Sequence, residues 1–210
     1  MPALFKLLSV TGILVALIPT AAAAPLEVIL MRHADKDRRR GDYNLSPAGF
    51  ERAINLARML PACFGAPSEI ITFLLDSQTS QNARSYQSAV PLAVITGVHI
   101  HIAQNSPGDS LGIGQRLRQR LAQSSVPQRL VLFWEHRRMP ALARGLGWDG
   151  MAPVDDQDFD QMFVFRYRSP LASPEVRQYR QSKLFQEPCS RQAGLPWAPP
   201  RTIPLEAVSP

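Results

Sequence analysis

Two histidines in this sequence follow apolar runs and have charged neighbours. Arg32 and His33 come directly after the apolar run 26–31, and His136 follows another such run later in the chain. Between them, Arg84 follows a polar loop. Neutral imidazole is a nucleophile near neutral pH, and the planar guanidinium of arginine binds tetrahedral oxyanions through paired hydrogen bonds. If the chain brings these four side chains to one pocket, they would bind an anion beside a nucleophile.

The elements that must position these residues alternate along the chain. Short apolar runs predict strands at 26–31, 69–75, 98–103, 129–134 and 160–168, and helical spacing of apolar residues predicts helices at 45–60, 83–96, 110–123 and 139–147. This order predicts an α/β fold, a three-layer sandwich whose mainly parallel sheet has helices on both faces. Ligands of such sheets bind beyond the carboxyl ends of the strands. The fold therefore predicts that His33 and His136 lie at the same edge.

The first predicted helix has clear start signals, and the third is weakened. Ser46 is suited to the N-cap and Pro47 to the first helical position, and apolar residues recur from Phe50 onwards. The helix at 110–123 is basic and amphipathic, but it contains two glycines, which lower helix propensity.

The N-terminus has the pattern of a signal peptide. Lys6 precedes an uncharged run, and small residues then offer a cleavage site near Ala22 to Ala24. An uncleaved membrane anchor is the alternative, but the run is shorter than the ~20 residues that a span needs. We therefore expect a signal peptide at 1–23, export to the periplasm or beyond, one α/β domain at 24–180, and a Pro-rich tail at 181–210 that packs on the domain or is partly disordered.

The two cysteines are compatible with export. Cys63 and Cys189 are the only cysteines of the 210 residues. In an oxidising compartment they would form one disulfide. Two buried free thiols are the alternative.

The net charge of +6 favours anionic substrates or surfaces. The arginines are scattered and no nucleic-acid-binding motif accompanies them, so the sequence does not indicate a nucleic-acid partner. Arg116, Arg118 and Arg120 are expected to form a solvated helix face, with contact to an anionic envelope surface as the alternative. The sequence does not indicate the oligomeric state.

Four segments together resemble the histidine phosphatase superfamily, also called phosphoglycerate-mutase-like. The segments are Arg32-His33-Ala34 for the R-H-G motif, Leu45 to Gly49 with Arg52-Ala53 for the L-T/S-x-x-G-x-x-Q-A helix start, Arg84 to Ala89 for R-A-x-Q-T-A, and His136 for the second histidine. They occur in the order of the family and span about residues 27–147. The segment 155–166 is also similar to the last strand of secreted members.

The resemblance implies a role for each residue of the site. His33 would attack phosphorus and form a phosphohistidine that water later hydrolyses. Arg32, Arg84 and His136 would hold the three equatorial oxygens of the phosphoryl group. No metal and no cofactor would be required, and the substrate would be a small phosphomonoester.

Two departures from the family pattern bear on the chemistry. Ala34 replaces the glycine of R-H-G and predicts a tighter pocket. His136 is followed by Arg137, so the aspartate that serves some members as general acid is missing, as is the loop glutamate of the mutases. Asp109 is our first candidate for the acid, with a turn or N-cap residue as the alternative. Glu135 is the second, with orientation of His136 as the alternative.

Other residues and another class of function have alternatives of their own. Asp35, Lys36 and Asp37 could join His33 at a metal, but a charged loop is the favoured interpretation. His99 and His101 would share one face of a strand, for which a solvated edge is favoured over a metal site. If the missing acid abolishes turnover, the protein would instead be a non-catalytic periplasmic binding module for an anionic or phosphorylated envelope ligand.

Overall fold

The structure, a computed structural model, describes residues 26–36, 43–103, 109–169, 172–191 and 193. The predicted signal peptide at 1–23 lies outside the described residues, as does the tail from 194 onwards. Among the helices of the described ranges, none has the length and apolar character that crossing a membrane requires.

The elements follow the predicted alternation of strands and helices. They are β1 (Leu26–Arg32), α1 (Pro47–Phe64), β2 (Glu69–Thr72), α2 (Ala83–Thr96), β3 (Ile100–Ile102), α3 (Ser110–Gln123), β4 (Gln128–Trp134), a 3₁₀ turn (His136–Arg138), α4 (Met139–Gly145), β5 (Gln161–Tyr167), β6 (Glu175–Arg180), α5 (Gln181–Leu184) and α6 (Pro188–Arg191). All five predicted strands and all four predicted helices are confirmed, with shifts at their ends.

The strands form one mixed sheet in the order β3-β2-β4-β1-β5-β6. The first four are mutually parallel, and β5 and β6 are added in antiparallel pairings. The predicted α/β sandwich with a mainly parallel sheet is therefore confirmed. Because β1 and β4 are parallel neighbours, their carboxyl ends place His33 and His136 at one edge.

Both faces of the sheet are covered, as the apolar sequence of β1 requires. Val28 and Leu30 belong to the core under α3 and α4, whereas Ile29 and Met31 belong to the core under α1 and α2. Successive side chains of a strand point to opposite faces, so a strand buried on both faces needs a continuous apolar run, here Val28 to Met31. This burial makes β1 a rigid support for the residues at its end.

Glu27 forms charge pairs with both neighbouring strands. It is 2% exposed, and its two carboxylate oxygens lie 2.7 Å from Nε of Arg129 on β4 and 2.8 Å from Nε of Arg166 on β5. Both arginines are also its direct partners in strand register. The pairing of opposite charges across three strands therefore favours one alignment of β1.

The start signals of α1 are confirmed, but one apolar position is not buried. The hydroxyl of Ser46 accepts a hydrogen bond from the backbone N–H of Gly49 at 3.0 Å, and Pro47 is the first helical residue. Phe50 is 54% exposed, because the buried stripe of the helix runs instead through Ala53, Leu56 and later residues. Its apolar character therefore did not indicate the core.

One of the two glycines that weaken α3 allows a close contact between helices. A Cβ atom on Gly114 would lie 2.9 Å from Cα of Gly145 on α4, closer than real Cβ contacts. The cost in helix propensity is therefore offset by close packing of α3 on α4.

The end of the sheet differs from the prediction. Residues 160–168 were expected to form the last strand, but β6 follows as an additional edge strand. Its sequence, EVRQYR, is polar and mostly exposed, so hydrophobic patterning could not distinguish it from a loop. Charged residues are typical of an exposed sheet edge because they disfavour pairing with another chain.

The first part of the predicted tail is structured and covalently tied to the domain. Helices α5 and α6 follow β6, and Cys189 on α6 forms a disulfide with Cys63 on α1. The bridge resolves the two alternatives for the cysteines and connects residues 126 positions apart.

The length of the bridged loop predicts a large contribution to stability. Closing a loop of this size restricts the unfolded chain, and native disulfides typically contribute about 2–4 kcal/mol. We expect the Cys63→Ser/Cys189→Ser double variant to lose this amount in urea unfolding. Reduction of the wild-type protein should give the same loss. Equal midpoints with and without the bridge would contradict this expectation.

Candidate functional site

A cavity of about 440 Å³ lies at the carboxyl ends of β1 and β4 and the start of α2. Its lining contains five of the six candidate site residues, and Asp109 is the exception. The lining residues are Arg32, His33, Lys36, Tyr43, Gln81, Asn82, Arg84, Ser85, Glu135, His136, Arg137 and Asp156. The structure thus brings the two imidazoles and two guanidinium groups together from distant positions in the chain.

His33 is held as a neutral imidazole with one nitrogen committed to the backbone. The residue is 5% exposed, and Nδ1 of its ring lies 2.7 Å from the carbonyl oxygen of Ala34. A carbonyl can only accept a hydrogen bond, so Nδ1 carries the proton and Nε2 keeps its lone pair. Burial lowers the pKa of His33 to about 3, and the nearby charges of Arg32 and Arg84 act in the same direction. His33 therefore presents a neutral nucleophilic nitrogen at neutral pH.

Ala34, the departure from R-H-G, connects β1 to α2. Its N–H donates to Oγ of Ser88 at 2.9 Å, and that hydroxyl donates to the carbonyl oxygen of Arg84 at 2.7 Å. The backbone on either side of the cavity is therefore held by a single hydrogen-bonded chain. Whether the extra methyl group narrows the pocket remains a prediction.

Arg32 is almost completely buried, at 1% exposure. Its Nη1 donates to the carbonyl oxygens of Asp155, Asp156 and Asp158 at 3.2, 2.7 and 3.3 Å. The ring centroid of Phe159 lies 3.9 Å from the guanidinium carbon of Arg32. The same ring packs against the imidazole of His33, with 5.9 Å between the two ring centroids. The guanidinium therefore fixes the loop that precedes β5.

Arg32 also keeps donor capacity for a ligand. Its Nε is buried and has no hydrogen-bond partner within the described part of the chain, and Nη2 makes one long contact of 3.3 Å with Oδ1 of Asp156. Burial lowers the pKa of this guanidinium, and the carboxylates of Asp156 and Glu135 oppose that effect. Guanidinium stays charged in proteins, so a positive charge lies beside His33.

The imidazole of His136 contacts the carboxylate of Glu135. Nδ1 of His136 is 2.9 Å from Oε1 of Glu135. The nitrogen is not aligned for a well-formed hydrogen bond, so the two groups are in close contact without one. The same oxygen accepts a hydrogen bond from Nε of Arg137 at 2.8 Å. Nε2 of His136 faces the cavity, 3.4 Å from Oδ1 of Asp156.

Glu135 stays ionised in this environment. Burial by itself would raise its pKa, but the contacts with His136 and Arg137 outweigh burial and lower the pKa to about 2. A carboxylate with such a pKa has no proton to donate near neutral pH. Of the two interpretations of Glu135, the geometry favours orientation of His136.

Arg84 enters the cavity from the first turn of α2. Its Nε donates to the carbonyl oxygen of Asn44 at 3.0 Å. The preceding loop has two non-glycine residues with left-handed backbone, Ser80 (φ 61°) and Asn82 (φ 65°). Such conformations are uncommon and are concentrated at functional sites, so the loop supports the assignment of this cavity.

Asp156 is a site residue that the sequence did not identify, and Lys36 was interpreted only as part of a charged loop. The carboxylate of Asp156 accepts hydrogen bonds from Nζ of Lys36 at 2.7 and 2.9 Å and contacts Arg32 and His136. The segment 155–166 was recognised only as similar to a strand of secreted members. A single aspartate in a loop has no spacing that would have revealed its contacts.

Asp109 is not brought to the cavity. It precedes α3, pairs with Arg116 at 2.9 Å and is absent from the lining. The geometry therefore gives no support for Asp109 as the acid, because its side chain pairs with Arg116 at the start of a helix. Most of the preceding loop (104–108) lies outside the described residues.

The remaining candidates have ordinary structural partners. Asp35 accepts a hydrogen bond from Arg52 at 2.6 Å, whereas Asp37 lies outside the described residues. His99 and His101 are exposed beside or on the edge strand β3. Within the described ranges, no group of three or more His, Cys, Asp and Glu residues is arranged to hold a metal ion.

Solved structures with the same fold support this description of the architecture. No family model matches the sequence, and no curated protein matches it. The chain is similar to the structure of the protein histidine phosphatase SixA complexed with tungstate, with 16% identity, a TM-score of 0.58, and coverage of 76% of this chain and 99% of that one. It is also similar to a phosphoserine phosphatase mutant from Entamoeba histolytica in complex with phosphoserine, with 13% identity, a TM-score of 0.50, and coverage of 75% and 98%. At these identities the similarity shows that the fold is shared.

The lowered pKa of His33 predicts a pH dependence of stability. Between pH 6.5, the usual pKa of an unfolded histidine, and about pH 3, the unfolded state binds a proton that the folded state excludes. The contribution of neutral His33 to the free energy of unfolding is complete above pH 6.5 and is lost as the pH falls towards 3. Wild-type protein should therefore lose about 1.4 kcal/mol per pH unit more than His33→Asn between pH 6 and pH 4. Urea unfolding of both proteins measures this difference, and parallel pH profiles would show that His33 titrates normally.

Proposed function

We propose that the chain is a phosphomonoesterase of the histidine phosphatase superfamily that works through a covalent phosphohistidine on His33. The observation that carries the proposal is that neutral His33 lies in one cavity with Arg32, Arg84 and His136. The four motif segments and the shared fold support it further. The names of the two similar structures, both phosphatases, agree with this class of reaction.

In the proposed reaction the fixed tautomer of His33 directs the attack. Nδ1–H stays on the carbonyl oxygen of Ala34, and the lone pair of Nε2 forms the bond to phosphorus. The electron pair of the breaking P–O bond stays with the leaving oxygen. Water then attacks the phosphohistidine, which returns the electron pair to Nε2 and releases inorganic phosphate.

The positive groups around His33 would stabilise the phosphoryl oxygens. Charge spreads over three equatorial oxygens in the transition state, and fixed donors stabilise it most effectively where water is excluded. Arg32 offers Nη2, His136 offers Nε2, and Arg84 lines the same cavity. These groups supply the charge that a metal ion supplies elsewhere, so we propose a metal-independent enzyme.

The proposed substrate is a small phosphomonoester. The cavity of about 440 Å³ has the size of a small-molecule site. The basic residues Lys36 and Arg137 at its lining, with the net charge of +6, favour an anionic ligand.

We propose further that the protein is exported. The signal-peptide pattern at 1–23 suggests it, and the Cys63–Cys189 disulfide supports an oxidising compartment. The substrate would then be a phosphomonoester available in the periplasm or outside the cell.

The first experiment measures hydrolysis of p-nitrophenyl phosphate by the mature protein at acidic and neutral pH with a chelator present. We expect turnover that persists in chelator and falls at least about 10³-fold in His33→Ala, because the nucleophile is lost. His99→Ala is the matched control, since its exposed imidazole lies outside the cavity lining. An acid-labile phosphoryl label on the protein, absent from His33→Ala, would identify the intermediate. Negligible and equal rates for wild type and His33→Ala on a panel of phosphomonoesters would favour the non-catalytic binding module.

A second experiment tests export. Full-length protein expressed in a bacterium with a periplasm should be recovered from that compartment, with an N-terminus near residue 24 because the small residues before it suit signal peptidase. N-terminal sequencing measures this directly. Recovery of the intact chain from the cytoplasm or the membrane would contradict the proposal.

A further inference from the structure

The proposed reaction needs a group that protonates the leaving oxygen, and the residues predicted from sequence do not supply one. Two carboxyl groups line the cavity within the described residues, those of Glu135 and Asp156. Glu135 is buried and held ionised by His136 and Arg137. The side chain of Asp156 is 52% exposed and lines the same cavity, so it can reach both solvent and a bound ligand.

Resting on the phosphatase function proposed above, we infer that Asp156 is the proton donor to the leaving oxygen and then the base for the attacking water. Its Oδ1 lies 3.3 Å from Nη2 of Arg32 and 3.4 Å from Nε2 of His136. These two nitrogens are the ones assigned to phosphoryl oxygens. A phosphoryl group bound to them would have the carboxyl of Asp156 as an immediate neighbour.

The position of Asp156 is fixed although its side chain is exposed. The carbonyl oxygen of the same residue accepts a 2.7 Å hydrogen bond from the buried guanidinium of Arg32, and those of Asp155 and Asp158 accept bonds from the same nitrogen. Lys36 holds the carboxylate from the other side. A catalytic group held by its supporting contacts loses little entropy when the substrate binds.

The charges around Asp156 explain how it would acquire a proton. In the free enzyme the hydrogen bond from Lys36 is the main cause that lowers the pKa of Asp156, and the charges of Lys36, Arg32 and His136 add to it. When a phosphate dianion binds, Arg32 and His136 interact with the phosphate and no longer mainly with the carboxylate of Asp156. The phosphate also places negative charge beside the carboxylate, which raises the pKa of Asp156. Substrate binding would therefore favour the protonated carboxyl group.

The proton and electron changes then balance over the two steps. As Nε2 of His33 bonds to phosphorus, the P–O electron pair moves to the leaving oxygen, which takes the proton of Asp156 and departs as an alcohol. The Asp156 carboxylate next takes a proton from a water molecule as the oxygen of that water bonds to phosphorus. The P–N electron pair returns to His33, and phosphate is released.

The test compares Asp156→Asn with wild type on p-nitrophenyl phosphate, phenyl phosphate and glycerol phosphate, whose leaving groups are progressively more basic. Nitrophenolate departs without being protonated, whereas the alkoxide of glycerol must be protonated as it departs. We expect kcat on glycerol phosphate to fall by about 10²- to 10⁴-fold, with a loss on p-nitrophenyl phosphate at least about tenfold smaller. The fall of kcat at high pH should also flatten in the variant. Asp149→Asn removes the same charge from an exposed residue outside the cavity lining and is the matched control.

Binding of inorganic phosphate separates the donor role from other roles of the side chain. Asp156→Asn should bind phosphate at least as tightly as wild type, since a neighbouring negative charge is removed and Arg32 keeps its backbone partners. An equal loss of kcat on all three substrates, or a gain on all of them through lower KM, would overturn the inference. Wild-type protein without activity on any of the three would instead overturn the proposed function itself.

Discussion

A cation buried at the end of the central strand is the interaction on which the site depends. The guanidinium of Arg32 cannot remain charged in the interior unless its desolvation is offset. Three backbone carbonyls, one carboxylate and an aromatic ring supply that compensation, and all five belong to residues 155–159. The same contacts that stabilise the charge therefore attach a loop more than 120 positions later in the chain to the residue preceding His33.

The electrostatic field of the site serves two needs at once. Positive groups attract an anion, and they also disfavour a second positive charge on His33, whose pKa is lowered chiefly by burial and further by Arg32 and Arg84. The pKa of an exposed histidine in the same field would not be lowered by burial. Burial of β1 on both faces is thus connected to the chemistry, because it removes water from the imidazole while the Ala34 carbonyl fixes the tautomer.

Sequence patterns predicted those parts of the site that local order determines. Buried strands are apolar and end abruptly, so Arg32, His33 and His136 could be placed at one edge, and helix-start signals located α1. The role of Glu135 could not be decided, because its neighbours in space set its pKa. Asp156 is separated from Arg32 by 124 positions, and no periodicity connects a loop residue to a partner so far away. The polar strand β6 was missed since burial, the signal that patterns report, is weak at a sheet edge.

The charge cluster on Glu27 has a consequence for where the nucleophile lies. His33 follows Glu27 by six positions and comes directly after the end of β1, so about 20 Å of extended backbone separates the two. If β1 slid by one residue against either neighbour, Glu27 would face away from both arginines, and the imidazole would leave the cavity by the same step. The carboxylate of Glu27 thus helps to fix the register of β1, and this register determines the position of the His33 imidazole at the other end of the strand.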